Sequence, residues 1–326
     1  MPEVSPSVLI IRLDAIGDAL ALTPLLASLS RRAVPVDLVL CEANAGIFAA
    51  RAARSIVTAA FEQRSSARSN LTAIERLGRE LRQREYSHVF VATEDPGGYR
   101  LAGSVGAPVR LGFADPWGKP FKTLWSRRFL TASIYRSAGL DPHAPHECEV
   151  LFRLGRALLG EESPTRDLAA LRPLVLESEP AMDERIAVQI TDKWERLGIA
   201  SERLVELLHR IAAASTPRLL AAAREAQYAE RIARSSGFSV DYFDELEPWK
   251  EAIAAATAIV TPDSGALHVA GMIGTPVVAV FPPVRDYALQ VARWAPWAAP
   301  HHIVRADEDW PARADDALAQ LRSVLR

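Results

Sequence analysis

At 326 residues, 49% of them hydrophobic, the chain is long enough for two globular domains and too apolar to be disordered. No apolar run approaches the roughly 20 residues that span a bilayer, and a formal net charge of −2 argues against nucleic acid as a partner along the whole surface. The two cysteines, Cys41 and Cys148, lack metal-ligand spacing, which excludes a disulfide framework or zinc module and points to a reducing compartment. The opening MPEVSPS lacks the basic and apolar regions of a signal peptide, so a cytoplasmic location is expected. The charge is unevenly divided. Residues 1–160 hold 20 Lys and Arg against 15 Asp and Glu, and the remainder holds 18 against 25. A basic half joined to an acidic half suggests one anionic partner.

The first predicted element is the buried strand VLIIR at residues 8–12, followed by the loop LDAIGD and a helix over residues 19–30. Asp18 stands at that helix start, at the C-terminal edge of a strand, where ligands gather in open α/β sheets. On spacing alone it reads as a helix N-cap. Strand and helix then alternate: a strand over 36–41, a helix over 46–53, a short strand over 56–60, an amphipathic helix over 70–84 and the strand HVFVA at 88–92. A small-residue helix within RLAGSVGAPVRLGF precedes a strand ending at Gly112. Residues 113–146 read as an irregular segment rich in Pro and aromatics, of the kind that is often functional. Arg127, Arg128 and Arg136 there, with Arg64 and Arg68 on an earlier loop, could meet an anionic acceptor or serve only solubility. A linking helix over 147–159 ends in GEESP, and the domain boundary is placed within about ten residues of Pro164.

The second half opens with a strand over 186–190, then Lys193 in a loop past its end, where an ammonium can neutralise a diphosphate as a point charge. A helix over 201–214 and a strand over 218–222 follow, and Glu225 opens a helix to residue 235. A strand over 240–242 and a helix over 249–256 lead into AIVTPDSGALHVAGMIGTPVVAVFPP, read as β-α-β: a strand over 258–261, a helix over 266–272 and a strand over 277–281. Asp263, Ser264 and Gly265 occupy the turn where the first strand passes into the helix. Free N–H groups and the positive dipole end there suit a phosphate, and Gly265 allows close approach. His268, about one turn in, faces the same mouth. A final helix runs over residues 312–325.

The run D-S-G-A-L-H-V-A-x-x-x-G-T-P-V-V-A-V-F resembles the C-terminal signature of glycosyltransferase family 9, the ADP-heptose:lipopolysaccharide heptosyltransferases. IIRLDAIGDALALTPLLASL resembles the same family's N-terminal signature, and VARWAPWAAPHHIVR its C-terminal region. The resemblance covers nearly the whole chain and implies an α/β fold of GT-B type: two Rossmann-like domains with parallel sheets facing across a cleft. Residues 1–163 would bind the acceptor and residues 164–326 the nucleotide-sugar donor. The resemblance makes Asp18 the catalytic base. The donor diphosphate would rest on the N–H groups of Ser264, Gly265, Ala266 and Leu267, with Lys193 and His268 assisting and Asp263 holding sugar hydroxyls. Glu225 falls where related enzymes place an acid for the ribose. No cofactor and no metal are expected; the donor would be an ADP-sugar, ADP-heptose by the family's name, transferred with inversion to an anionic glycan or lipopolysaccharide acceptor. Peripheral association with the inner membrane surface would follow from such an acceptor.

The chain departs from the family at two turns. Gln189-Ile190-Thr191 stands where a Gly-rich turn often precedes the lysine, and Thr93-Glu94-Asp95-Pro96 replaces the usual polar turn on the acceptor side. A sugar-nucleotide epimerase, which can share the two-domain cleft, and a non-catalytic nucleotide-sugar binding protein are the alternatives. A dinucleotide oxidoreductase is disfavoured, because no G-x-G-x-x-G follows the first strand.

Overall fold

The computed structural model describes residues 6–65, 67–136, 146–160 and 162–324. The first five residues of the MPEVSPS segment, residues 137–145 of the irregular segment, Glu161 of the GEESP break and Leu325 of the final helix lie outside the described residues. The chain divides into two compact units, Met1–Thr165 and Arg166–Arg326.

Six parallel strands form the sheet of the first unit: β1 Val8–Arg12, β2 Val36–Leu40, β3 Ser55–Thr58, β4 His88–Val91, β5 Val109–Ala114 and β6 Ala132–Tyr135. Their order is β3-β2-β1-β4-β5-β6. The central strand is the most apolar, with Val8 to Ile11 wholly buried, because a parallel sheet covered on both faces shields every position of its middle strands. Helix Arg68–Arg82 buries Ile74 and Leu81 in one apolar cluster with Leu9, Ile11, Val89 and Val91.

The second unit repeats this architecture with β7 Asp183–Gln189, β8 Pro217–Ala222, β9 Val240–Phe243, β10 Ala256–Pro262, β11 Val277–Phe281 and β12 His301–Arg305. Its order is β12-β11-β10-β7-β8-β9, again all parallel. Ile186, Val188, Val260 and Val278 share a core with Leu204, Leu207 and Leu208 of helix Ser201–Ala214. In both units the chain reverses direction across the sheet beside its first strand, between β1 and β4 and between β7 and β10. Crevices open at the C-terminal ends of strands at such reversal points. Two Rossmann-like units of this kind make the GT-B fold.

Several elements differ from the sequence reading. The helix expected over 19–30 is two, Ile16–Leu20 and Thr23–Arg31, because Pro24 has no N–H to continue the first and the Thr23 hydroxyl caps the Leu20 carbonyl at 2.6 Å. The helix expected over 46–53 is replaced by the 3-10 turns Glu42–Asn44 and Ala50–Ala52, with the Asn44 amide donating to the Asp14 carbonyl at 2.7 Å. The linking helix is broken into Glu147–Phe152, a 3-10 turn Arg153–Gly155, and Arg156–Leu159. Much of the segment expected to be irregular is regular: β5 continues to Ala114, and helix Pro120–Ser126 and β6 follow. Helix Tyr287–Trp294 and β12 had no counterpart in the sequence reading. Among the described residues, no helix is long and apolar enough to cross a membrane.

Candidate functional site

The C-terminal ends of β7 and β10 bring together a lysine, an aspartate and a histidine. Lys193 begins the one-turn helix Lys193–Arg196 after β7, where a plain loop was expected, and its neighbour Trp194 anchors it. That indole is fully buried, donates to the Gln189 carbonyl at 2.8 Å and stacks on Trp310 at 5.5 Å. Asp263 follows β10. Its carboxylate lies 3.9 Å from Lys193 Nζ and 3.8 Å from His268 Nε2, one turn into helix Gly265–Ile273. Burial alone would push the Asp263 carboxyl up, but the His268 imidazole and the Lys193 ammonium outweigh it and hold the group below its usual range. The His268 ring is itself braced edge-on by Trp294 at 5.6 Å.

Ser264 is the N-cap residue of that helix, with extended backbone and no side-chain cap bond; its hydroxyl pairs with Thr261 at 2.8 Å instead. The opening N–H groups of an α-helix have no partner within it and, with the positive dipole end, suit an anion. Gly265 and Ala266 hold those opening positions, whereas the Leu267 N–H already donates to the Ser264 carbonyl at 3.1 Å. Glu225 closes the 3-10 turn Ala223–Glu225 after β8 and accepts the Thr191 hydroxyl at 2.7 Å. Burial raises its pKa, Thr191 pulls the other way, and nearby Asp192 adds to the rise. Thr191 also accepts the Lys193 backbone N–H at 3.3 Å, so one hydroxyl in the glycine-poor turn ties Glu225 to the lysine.

In the first unit Asp18 lies within the first turn of helix Ile16–Leu20, whose N-cap residue is Ala15. Its partner is Arg12, the last residue of β1, which is buried. Arg12 donates to the Asp18 carboxylate and to the Asp18 carbonyl, both at 3.0 Å, and to the Ala92 carbonyl after β4. Asp14 stands 3.4 Å and the buried Glu147 3.8 Å from the same guanidinium. Glu94, beyond β4, takes Lys119 at 2.5 Å and Lys122 at 3.0 Å.

The arginines proposed for an acceptor belong to three separate stretches of the first unit. Arg64 and Arg68 are exposed around the start of helix Arg68–Arg82, and Arg127 and Arg128 are exposed after helix Pro120–Ser126. Arg136 is half-buried, bound to Glu147 at 2.9 Å and lying over the Phe113 ring. The sequence reading missed Arg12, Thr191 and Trp294. A basic residue closing a buried strand is the one signal that could have revealed Arg12.

Residues 219–320, within the second unit, match the family model of glycosyltransferase family 9 (heptosyltransferase). Among solved structures, a family 9 glycosyl transferase from Veillonella parvula superposes with a TM-score of 0.73 at 15% identity, covering 98% of either chain. The E. coli ADP-heptose lps heptosyltransferase II gives 0.68 at 16% identity, over 98% of this chain and 99% of that one. E. coli heptosyltransferase WaaC, solved with ADP, gives 0.70 at 17% identity, over 98% of this chain and 100% of that one. These likenesses carry the fold. No curated protein matches the chain by sequence. The grouping of Lys193, Asp263 and His268 beside a helix N-terminus offers an ammonium, an imidazole and open N–H groups, donors that suit an anionic ligand. Among the described residues no group of three or more His, Cys, Asp or Glu is placed to hold a metal ion.

Proposed function

We propose that this protein is a family 9 glycosyltransferase that moves a sugar, heptose in the first instance, from its ADP-sugar to a hydroxyl of an anionic glycan such as the lipopolysaccharide inner core, with inversion. The observation that carries the reading is Lys193 and His268 each within 4 Å of the Asp263 carboxylate at the reversal point of the second sheet, beside the mouth of helix Gly265–Ile273. The diphosphate draws Lys193 from Asp263 and accepts from the N–H groups of Gly265 and Ala266, with Ser264 and Leu267 lining the same turn. Asp263, freed of that contact, accepts from sugar hydroxyls, and Glu225 from the ribose.

In the transfer, an acceptor oxygen attacks the anomeric carbon as the bond from that carbon to the β-phosphate oxygen breaks. The acceptor proton passes to the Asp18 carboxylate. Negative charge grows on the departing ADP, where the lysine, the histidine and the helix N-terminus are already engaged once the donor is bound. A single displacement inverts the anomeric centre.

A thermal-shift series with ADP, UDP, GDP and NAD tests the donor half: ADP is expected to stabilise most, and stabilisation by NAD alone would end the reading. Asp18→Asn tests the other half, with ADP binding retained and transfer reduced by about 10²–10⁴. Equal loss of binding and transfer would make Asp18 a structural residue. Turnover of the nucleotide sugar without any acceptor would select the epimerase.

A further inference from the structure

We propose that residues 117–128 of the first unit form a docking surface for an anionic lipid bilayer. This deepens the acceptor side of the proposed function, since an amphiphilic acceptor lies at such a surface, yet its readout does not require sugar transfer. Trp117, Phe121 and Leu124 are 87%, 88% and 66% exposed, the three most solvent-accessible large aromatic and aliphatic side chains apart from Met182. They fall within eight residues: Trp117 in the turn before helix Pro120–Ser126, and Phe121 and Leu124, three apart, on one side of the helix itself.

The opposite side of this helix is already satisfied. Thr123 and Ser126 are buried and the Thr123 hydroxyl accepts from Asp115 N–H at 3.0 Å, while half-buried Trp125, at the margin of the two sides, packs on Tyr99 and Phe129 at 5.9 and 4.9 Å. Lys122 reaches inward to Glu94 at 3.0 Å. The helix is thus fixed by its inner face and presents its large apolar side chains outward, the reverse of an ordinary surface helix. Exposed Arg127 and Arg128 follow directly, placing two cations beside the apolar strip.

The size and charge of the strip favour a membrane over a protein. Two aromatics and a leucine offer roughly 400–600 Å², short of the about 800 Å² that each partner contributes to a stable protein interface. An aromatic and aliphatic strip edged by arginines is what the boundary between headgroups and acyl chains accommodates, and the arginines supply the preference for anionic lipid.

The test is sedimentation of the full chain with vesicles of phosphatidylcholine alone, or with part of it replaced by phosphatidylglycerol. Wild type is expected to bind the phosphatidylglycerol vesicles more tightly, and less so as salt is raised. The triple variant Trp117→Ser, Phe121→Ser, Leu124→Ser is expected to lose at least about tenfold in vesicle affinity, while Arg127→Gln with Arg128→Gln loses the preference for the anionic vesicles. All three substituted side chains point to solvent, so the fold should persist; unchanged circular dichroism and an unchanged ADP thermal shift establish that and separate this result from any failure of the donor site. Vesicle binding unaltered in the triple variant, no binding by wild type, or a wild-type dimer that the triple variant dissociates would each overturn the proposal.

Discussion

Arg12 is the residue whose removal should cost most. It is buried and holds the carboxylate and carbonyl of Asp18, the Ala92 carbonyl and the near carboxylates of Asp14 and Glu147. Taking away one partner of a buried charge cluster costs about 3–5 kcal/mol, and Arg12→Ala is expected to lower the urea-unfolding free energy by that order. Arg12→Lys restores a charge but not a planar fork able to meet Asp18 and Ala92 together. It should recover part of the stability while leaving transfer impaired; full recovery of transfer would show that the fork does not position Asp18. Glu94 makes a separate prediction. Burial would raise its pKa, but hydrogen bonds and charge from Lys119 and Lys122 lower it from 4.5 to about 2. A depressed carboxylate stabilises the fold fully above its unfolded pKa and loses that contribution as pH falls through the folded value. The folded state should therefore lose stability as pH falls between about 4.5 and 2, in a way that Glu94→Gln abolishes. Parallel acid profiles for the two proteins would refute the assignment.

At the scale of elements, helix Gly265–Ile273 is stitched to the turn before β12 at Gly271, whose carbonyl accepts from Ala298 and Ala299 N–H at 3.0 and 3.1 Å. A Cβ at Gly271 would stand 2.9 Å from the Trp297 backbone nitrogen and 3.1 Å from Pro296 Cα, so backbone must move. Gly271→Ala is expected to cost about 1–3 kcal/mol in urea unfolding, and a cost near zero would mean that the turn yields freely. This β-α-β unit was legible because two buried strands and a small-residue helix follow one another with clear turn chemistry between them. Its neighbours were not. β12, HHIVR, is an edge strand with one fully buried position, so it lacks the apolar run that marked β10 and β11. Helix Pro120–Ser126 escaped notice because Phe121 and Leu124 face outward and Pro and Gly surround it. Asp18 read as a cap because sequence spacing reveals local partners, whereas Arg12 reaches it through the folded sheet edge. Lys193, Asp263 and His268 could be named separately, but only the order β10-β7 places them side by side.

Across the whole molecule, one strand order occurs twice with different chemistry at the two reversal points. The first carries Arg12, Asp18 and, beyond β4, Glu94 with its lysines; the second carries Lys193, Asp263 and His268 beside a helix mouth. A nucleoside diphosphate needs cations and free N–H groups on its oxygens, which the second offers, whereas the first surrounds Arg12 with carboxylates. Each unit also has its own apolar cluster, so unfolding of the full chain can proceed through more than one cooperative step. A ligand held by folded protein and not by unfolded chain adds about 2.7 kcal/mol at a hundredfold excess over its Kd. In calorimetry of the full chain, ADP is therefore expected to raise the component that belongs to Arg166–Arg326, identified as the one that Gly271→Ala lowers. Lys193→Ala should remove most of that rise and Asp18→Asn none of it. An ADP-dependent rise that survives Lys193→Ala and disappears in Asp18→Asn would assign the nucleotide to the first unit and reverse the division of labour.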